Sequence, residues 1–547
     1  MPTITIDGQQ VTVGKGKTVI QAAEALGIYI PRYCYHPGLS IAGSCRMCLV
    51  EIEKMPKLQI ACYTQVAEGM AVHTETDKVK LARQSILEFL LSNHPLDCPV
   101  CDQSGECDLQ NFYMEFGLYQ SKFLENKIKR RKAFPIGPHV ILDNERCILC
   151  SRCVRFCKEV SKSHELGIVN RGEHSEIALF EGRELKNAYS GNVIDICPVG
   201  ALTEREFRFQ CRVWYLNRAN SVCPGCARGC NIEIHHNEQR PYQSRGKRIL
   251  RLKPRFNPDV NKWWICDEGR YGFEFIDAPS RLKAFQLGKG KERMSVSAEE
   301  GLRTAADWIR DSTAGSSRDS AGIFLSPQLS NEDLYAIAML ARHVGISKID
   351  FRNPAERPGF EDDFLIRADK NPNTKGCVEM GLYRRDSADG AWMAEEIRSG
   401  AVRTLLVFLQ DLTLAPEFGG VLGSLQQLIF IGCNANGTSE IAGLVVPSAT
   451  YAEKEGSFTN FQGRAQRFER AVAPLGDSLP EFDLAADLAA RLGMDRSFFE
   501  RERLLSQLRA EIGFFDQETL DPTEVEVVYQ QPLIAVQGAG MNLREVD

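Results

Sequence analysis

No stretch of this 547-residue chain is apolar for long enough to cross a bilayer, which takes about 20 such residues in a row. Its N-terminus, MPTITIDGQQVTV, lacks a basic leader and an apolar h-region, so no secretory signal is expected. Nor is it an Arg-rich amphipathic transit segment. These absences lead to the expectation of a protein kept in a reducing cytoplasm. An excess of one charge is missing too. Lys and Arg number 66 against 72 Asp and Glu, and a net charge of −6 suggests neither a nucleic-acid surface nor a polybasic membrane patch. There is no internal repeat and no low-complexity tract. Apolar residues at 43% and charged residues at 25% are an ordinary globular balance, and the length allows several domains. Cysteine nearly vanishes from the second half. Of the 19 Cys, only Cys377 and Cys433 lie beyond residue 270.

The rest are crowded into four spaced groups. They are Cys34, Cys45, Cys48 and Cys62; His94, Cys98, Cys101 and Cys107; Cys147, Cys150 and Cys153 with distal Cys197; and Cys223, Cys226 and Cys230 with Cys266. In a reducing compartment such patterns point to metal sites rather than disulfides. Soft thiolates suit iron–sulfur clusters, and four such sites in one chain imply movement of electrons. Structural zinc draws on the same ligands and is the competing reading for the first two groups.

The first group reads C-x10-C-x2-C-x13-C, a close-spaced loop plus one later Cys, as two-iron ferredoxins use. Gly38, Gly43 and Ser44 give the loop freedom to wrap a cluster. The preceding ITIDGQQVTV reads as a hairpin turning at Asp7-Gly8, which matches a β-grasp ferredoxin. The long, turn-rich first gap is unusual for zinc. Gly16-Lys17-Thr18 looks like the end of a phosphate loop. Val11 stands where the earlier glycine is required, and the segment reads as a strand edge, so nucleotide binding is rejected there.

The second group, NHPLDCPVCDQSGECDLQ, places a histidine ahead of three Cys. A neutral imidazole can complete a four-iron site and changes its charge and potential. This motif resembles the one-His, three-Cys four-iron domain shared by complex I large peripheral subunits, iron-only hydrogenases, and NAD-linked formate dehydrogenases and hydrogenases. The third group, CILCSRCVRFC with a later ICPVGAL, is a single ferredoxin-like run. In a two-cluster ferredoxin the fourth Cys of each run ligates the other cluster, and that needs two full runs. One cluster is expected here, held by Cys147, Cys150, Cys153 and Cys197, with Cys157 spare. The alternative, Cys157 as fourth ligand, leaves Cys197 unexplained ahead of Pro198. The single site resembles complex I large subunits, whereas the hydrogenases and formate dehydrogenases generally show two full runs.

The fourth group, CPGCARGC followed by CDEGRYG, resembles the four-iron domain at the start of molybdopterin oxidoreductases. In active members a later Cys, Ser or selenocysteine binds molybdenum. Cys377 and Cys433 are the candidates, and ordinary buried packing is the plainer role for both. Near residue 275 the pattern turns to alternating strands and helices. Ala321–Leu325, Leu405–Leu409, Leu428–Ile431 and Leu444–Val446 read as strands. Ser330 or Asn331 is expected to cap a helix with Leu334, Ile337, Ala338 and Ala341 on one face. Alternation of this kind argues for parallel sheet in an α/β domain. Thr313–Asp319 reads as a loop, and the segment from about Asp521 as an extended tail. The Gly538–Gly540 GAG has no following helix and is a weak dinucleotide signal. The segment VVPSATYAEKEGSFTNFQGRAQR closely resembles a stretch of molybdopterin oxidoreductases and complex I large subunits. Glu453, Gly456, Asn460, Gly463, Arg464 and Gln466 carry the match, and Ser457 stands where the pattern has Thr.

Taken together, the chain resembles the large peripheral iron–sulfur subunits of respiratory complex I, the bacterial NADH:quinone oxidoreductase. The resemblance implies a multidomain α+β and α/β architecture. Residues 1–77 would be a two-iron β-grasp ferredoxin domain and 78–117 the one-His, three-Cys domain. Residues 118–215 would be a ferredoxin-like four-iron domain and 216–272 a molybdopterin-oxidoreductase-type four-iron domain. Residues 273–547 would be a truncated molybdopterin-oxidoreductase-like α/β domain. It implies one 2Fe-2S and three 4Fe-4S clusters, no molybdopterin, and no catalytic residue of the chain's own. The implied partners are a flavoprotein that oxidises NADH, its small two-iron subunit, and quinone-proximal iron–sulfur subunits. The implied location is peripheral, on the cytoplasmic face of the bacterial inner membrane, with membrane contact only through other subunits. The competing readings are a molybdenum-dependent, NAD-linked formate dehydrogenase, the diaphorase subunit of an NAD-reducing hydrogenase, and a zinc-stabilised scaffold.

Overall fold

Asp7 and Gly8, with φ of 47° and 84°, turn the first strand back on itself as a two-residue hairpin requires. The structure, a computed structural model, describes residues 1–117, 120–314, 319–352, 359–382 and 390–512. The proposed tail and the Gly538–Gly540 stretch lie outside the described residues, as do four positions of the Thr313–Asp319 loop. Clustering of contacts divides the chain into two units, one holding Met1–Tyr215 and the other Leu216–Glu524.

In the first unit, β1 (Thr3–Ile6), β2 (Gln9–Thr12), β3 (Leu49–Ile52), β4 (Gln59–Ile60) and β5 (Ala71–His73) form a sheet of order β2-β1-β5-β3-β4. β1 runs parallel to β5, and the other pairs are antiparallel. Alternate residues Ile4, Ile6, Val50, Ile52 and Val72 point into the core, where helix Val19–Ala25 covers them with Val19, Ile20, Ala22 and Ala23. Gly16-Lys17-Thr18 is not a strand edge. β2 ends at Thr12, and Thr18 is the N-cap of that helix, its N–H donating to Gln21 Oε1 at 3.1 Å. A turn at Gly16, with φ 86°, interrupts the apolar alternation before a helix starts. Helix Asp77–Asn93, capped by Thr76, delivers His94, and helix Asp108–Phe116 follows the second group. Beyond it come β6 (Phe134–Pro135), β7 (Val140–Leu142), helix Arg152–Glu159, the hairpin of β8 (Leu166–Val169) and β9 (Glu176–Leu179), and β10 (Leu202–Glu204). β10, β7 and β6 make a small sheet in that order.

The second unit opens on an antiparallel sheet of β11 (Asn217–Val222), β12 (Asn231–His236) and β13 (Ile249–Pro254). A seven-stranded sheet follows, from β14 (Phe285–Leu287), β15 (Met294–Val296), β16 (Ala321–Leu325), β17 (Lys348–Phe351), β18 (Thr404–Phe408), β19 (Gln427–Gly432) and β20 (Leu444–Pro447). Its order is β15-β14-β20-β19-β18-β16-β17. β17 to β20 and β16 are parallel, but β14 lies antiparallel against β20 and pairs with β15 as a hairpin, so the sheet is mixed. Those two strands enter before the first crossover helix, which is why no periodic helix–strand signal announced them. Inward residues alternate between two faces. Ile323, Leu406, Ile429 and Leu444 meet helices Ala298–Thr313, Asn331–Val344 and Glu481–Arg491. Phe324, Leu405, Val407, Phe430 and Val445 meet helix Ala391–Arg398 on the other face. Ser330 and Asp333 close a capping box, and Gly345 ends that helix in the left-handed region. A last hairpin pairs β21 (Gly456–Thr459) with β22 (Ala465–Phe468).

Candidate metal centres

The first group closes as two pairs. Cys34 sulfur lies against Cys45, and Cys48 sulfur against Cys62. The Cys34 N–H also donates to Cys45 Sγ at 3.4 Å. The contact with Cys45 pulls the Cys34 thiol down to about 5, while the partner sulfur and burial push Cys48 well up. Two pairs of thiols are what two irons need, each held by two sulfurs. Gly43 (φ 62°) and Arg46 (φ 61°) bend the loop so that its sulfurs converge.

In the third group Cys147, Cys150, Cys153 and Cys197 line one closed cavity of about 360 Å³, walled by Leu142, Ile177, Val199 and Leu202. Burial pushes Cys147 and Cys197 up to about 12, so ligation here must displace protons. Cys157 is not in that lining. Its sulfur faces Ser161, Ser163 and Glu165.

In the second group Cys101 has Cys98 as a charge neighbour, and Cys107 has Cys101. His94 caps the end of its helix, and burial, then Arg146, hold its imidazole at about 4, in the neutral form that can ligate. Arg146 is also a neighbour of Cys101, and Asp97 holds the guanidinium at 2.9 Å. Gly200 stands against this group. A Cβ there would sit 2.3 Å from Cys101 Sγ, and its φ is not positive, so glycine is present for space.

Arginines join the groups of this unit. Arg152 donates to the Tyr35 carbonyl at 2.7 Å and to the Ile196 carbonyl at 3.0 Å, one residue from Cys34 and one from Cys197. Arg155 donates to the carbonyls of Cys34 and Cys150. Tyr33 has both Cys45 and Cys107 as neighbours. The first group therefore adjoins the second and the third, and the second meets the third's distal loop through Gly200.

In the second unit Cys223, Cys226, Cys230 and Cys266 line a closed cavity of about 320 Å³ with Gly225, Gly229, Gly269, Glu268, Leu365 and Lys370. A Cβ on Gly269 would come within 2.9 Å of Cys223 Sγ. The 445–467 segment braces this loop. Phe461 N–H donates to the Ala227 carbonyl at 2.9 Å, and Gln466 Nε2 to the Gly229 carbonyl at 2.8 Å. Glu453 is fully buried, bonded to Arg281 at 2.9 Å, Arg248 at 2.8 Å and the Thr450 N–H at 2.8 Å. Ser457 and Asn460 are likewise bonded within the chain, Ser457 to Glu332 and Asn460 to Gln462 and Arg464. Arg464 reaches Asp259 at 2.9 Å. Cys377 is buried in helix Thr374–Glu379, and Cys433 lies 3.7 Å from the Ser448 hydroxyl.

Among the described residues no group of three or more His, Cys, Asp and Glu is spaced to hold a single metal ion. Sulfur pairs, and sulfurs ringed round apolar cavities with glycine where a side chain would strike them, fit iron–sulfur clusters. The arginines of CSRCVRFC were visible beside the Cys, and their spacing on a short helix could have flagged them. Nothing in sequence marked Gly200 or Lys370.

Family models match along the chain in the same order. They are a 2Fe-2S iron-sulfur cluster binding domain over 1–77, an NADH-ubiquinone oxidoreductase-G iron-sulfur binding region over 83–122, and a ferredoxin-like domain of NADH-quinone oxidoreductase subunit 3 over 137–203. A 4Fe-4S domain of the NDSU1/NuoG-like type covers 217–274 and a molybdopterin oxidoreductase model 387–491. Fold and site thus define an iron–sulfur oxidoreductase subunit of mixed helix and strand. The NuoG protein of NADH-quinone oxidoreductase from Rickettsia conorii is 29% identical over 93% of this chain and 91% of its own length. That of Streptomyces coelicolor is 36% identical over 83% of this chain and 53% of its own, and that of Rickettsia bellii 42% over 57% and 44%. The last two alignments span about half the length of those relatives. A chain of an NAD+-reducing [NiFe]-hydrogenase is 33% identical over 39% of this chain and 91% of its own, with a TM-score of 0.36. The chain belongs to the NuoG family of NADH-quinone oxidoreductases.

Proposed function

We propose that this protein relays electrons within NADH:quinone oxidoreductase, from a flavoprotein partner toward quinone. The observation that carries this is the contiguity of the three ligand groups in the first unit through Arg152, Arg155, Tyr33 and Gly200. Cys34, Cys45, Cys48 and Cys62 would hold a two-iron cluster in a β-grasp domain. His94 with Cys98, Cys101 and Cys107, then Cys147, Cys150 and Cys153 with Cys197, then Cys223, Cys226 and Cys230 with Cys266, would each hold a four-iron one. When bound, such clusters pass electrons singly. The chain's part is to fix the sulfurs, exclude water from them and place cations beside them. Arg155 neutralises carbonyl dipoles at the approach of the first and third groups. Hydride from NADH must be split into single electrons by a flavin, so a flavin-bearing partner is required. Among the described residues no helix is long and apolar enough to cross a membrane, and attachment at the cytoplasmic face would come through other subunits. The 273–547 domain is read as a scaffold without molybdopterin, because Glu453, Asn460, Arg464 and Gln466 already bond within the chain.

The test is anaerobic purification with metal analysis and electron paramagnetic resonance. About 14 iron atoms per chain are expected from these ligand sets. Stoichiometric zinc with little iron would overturn the reading. The isolated chain should not oxidise NADH with an artificial acceptor, and adding the flavoprotein should restore activity and reduce its centres. NADH or formate oxidation by the chain alone would overturn the relay.

A further inference from the structure

Lys370 is 6% exposed and lines the cavity of the fourth group beside its four sulfurs. Its ammonium donates to Glu268 Oε2 at 2.7 Å, and Glu268 lines the same cavity. The backbone that presents it is pinned to the ligand loop, since the Ala227 N–H donates to the Asp369 carbonyl at 2.9 Å. On the other side Gln328 Nε2 donates to the Lys370 carbonyl at 3.3 Å. Arg228, the other cation near these sulfurs, lies over the Phe461 ring at 5.4 Å and is not in the cavity lining. A buried lysine is costly unless its charge has work or a partner. Its one carboxylate here is half exposed, at 46%.

We infer that Lys370 and Glu268 form a charge pair that sets the reduction potential of the fourth centre. Lys370 stabilises the extra negative charge of the reduced state, and Glu268 offsets part of that effect. A fixed cation next to four thiolates raises the potential of what they hold, as charge and hydrogen bonding around sulfur do generally. Interaction strengthens where water is excluded, and this cavity is closed. Lys370 is thus a tuning residue whose position is fixed by the Asp369 carbonyl. This rests on the reading that the fourth group holds a four-iron cluster.

The test is a redox titration of the iron-loaded full chain, with dithionite giving one electron per centre and paramagnetic resonance reading the fourth signal. Lys370→Met should lower the reduced-to-oxidised ratio at a fixed applied potential about tenfold, which is ~59 mV for one electron. Glu268→Gln should shift it the other way, Lys370→Arg should keep the wild-type value, and the double variant should fall between the singles. An unchanged potential in iron-replete Lys370→Met overturns the inference, as does a downward shift in Glu268→Gln. If Lys370→Met fails to load, Glu268→Gln and Lys370→Arg decide: an upward shift in the first with none in the second supports the pair, and no shift in either overturns it. A wild-type chain with no fourth four-iron signal would instead overturn the reading beneath it.

Discussion

The two units bury different things. In the first, strands of two to four residues are scattered over three small sheets, and much of what lies inside is sulfur and the arginines around it. In the second, one seven-stranded sheet buries Phe324, Phe408 and Phe430 between helices, each such side chain contributing ~1.5–3 kcal/mol. The first is held by ligands that meet only when something joins them. The second is held by packing that needs no cofactor. The comparison teaches that iron should matter to the two units very unequally.

Stripping iron with a chelator under reduction should have the largest effect. The loss in the first unit should be on the order of 10 kcal/mol, the scale of structural metal binding. Hydrogen exchange should show β1–β10 losing protection while β16, β18 and β19 keep theirs. Equal loss in both would break the comparison. Next comes Lys454→Met. Lys454 lies between Asp333 at 2.7 Å and Glu481 at 2.5 Å, all buried, and its removal strands two carboxylates. That should cost ~3–5 kcal/mol in denaturant unfolding of the second unit and leave the resonance signals of the first unchanged.

A smaller effect is expected of Gly200→Ala. Its Cβ meets Cys101 Sγ at 2.3 Å, so the cost is about 1–3 kcal/mol and the perturbed signal should be that of the second group, with the fourth untouched. pH should act on the second unit through His235. Burial, and then Arg251, hold it at about 3 against an ordinary 6.5. A folded value below the unfolded one means the unfolded chain takes up more protons. Stability is then full above pH 6.5 and falls as pH drops toward 3. Unfolding midpoints across that range should show the slope, and His235→Phe should flatten it. The smallest effect is Cys157→Ser, which should leave iron content and spectra unchanged because Cys157 is outside the cavity of the third group. A lost four-iron signal would show it to be the fourth ligand after all.

The Asp7-Gly8 hairpin, the bounds of β16 and the Ser330 cap were legible in sequence because each rests on local chemistry: positive φ, an apolar run, a side-chain oxygen at an N-terminus. The ligand groups were legible because thiolates bring their own spacing. β14 and β15 were not, since their pairing depends on β20, far along the chain. The Gly16-Lys17-Thr18 segment misled because a helix cap and a strand edge share the same residue types. Lys370 was invisible for a plainer reason. It reaches Glu268 across 102 positions, and no local pattern records that.

The bond from Gln466 to the Gly229 carbonyl joins residues 237 positions apart. During synthesis at ~5–20 residues per second, the ribosome delivers the brace some 10–50 s after the loop it braces. Cys34 to Cys197 have all emerged before Cys223 is made. The three centres of the first unit can thus be filled while the chain is still growing, whereas the fourth loop must wait, unbraced, for a late segment. Truncated translation products should therefore carry the first three centres and lack a stable fourth.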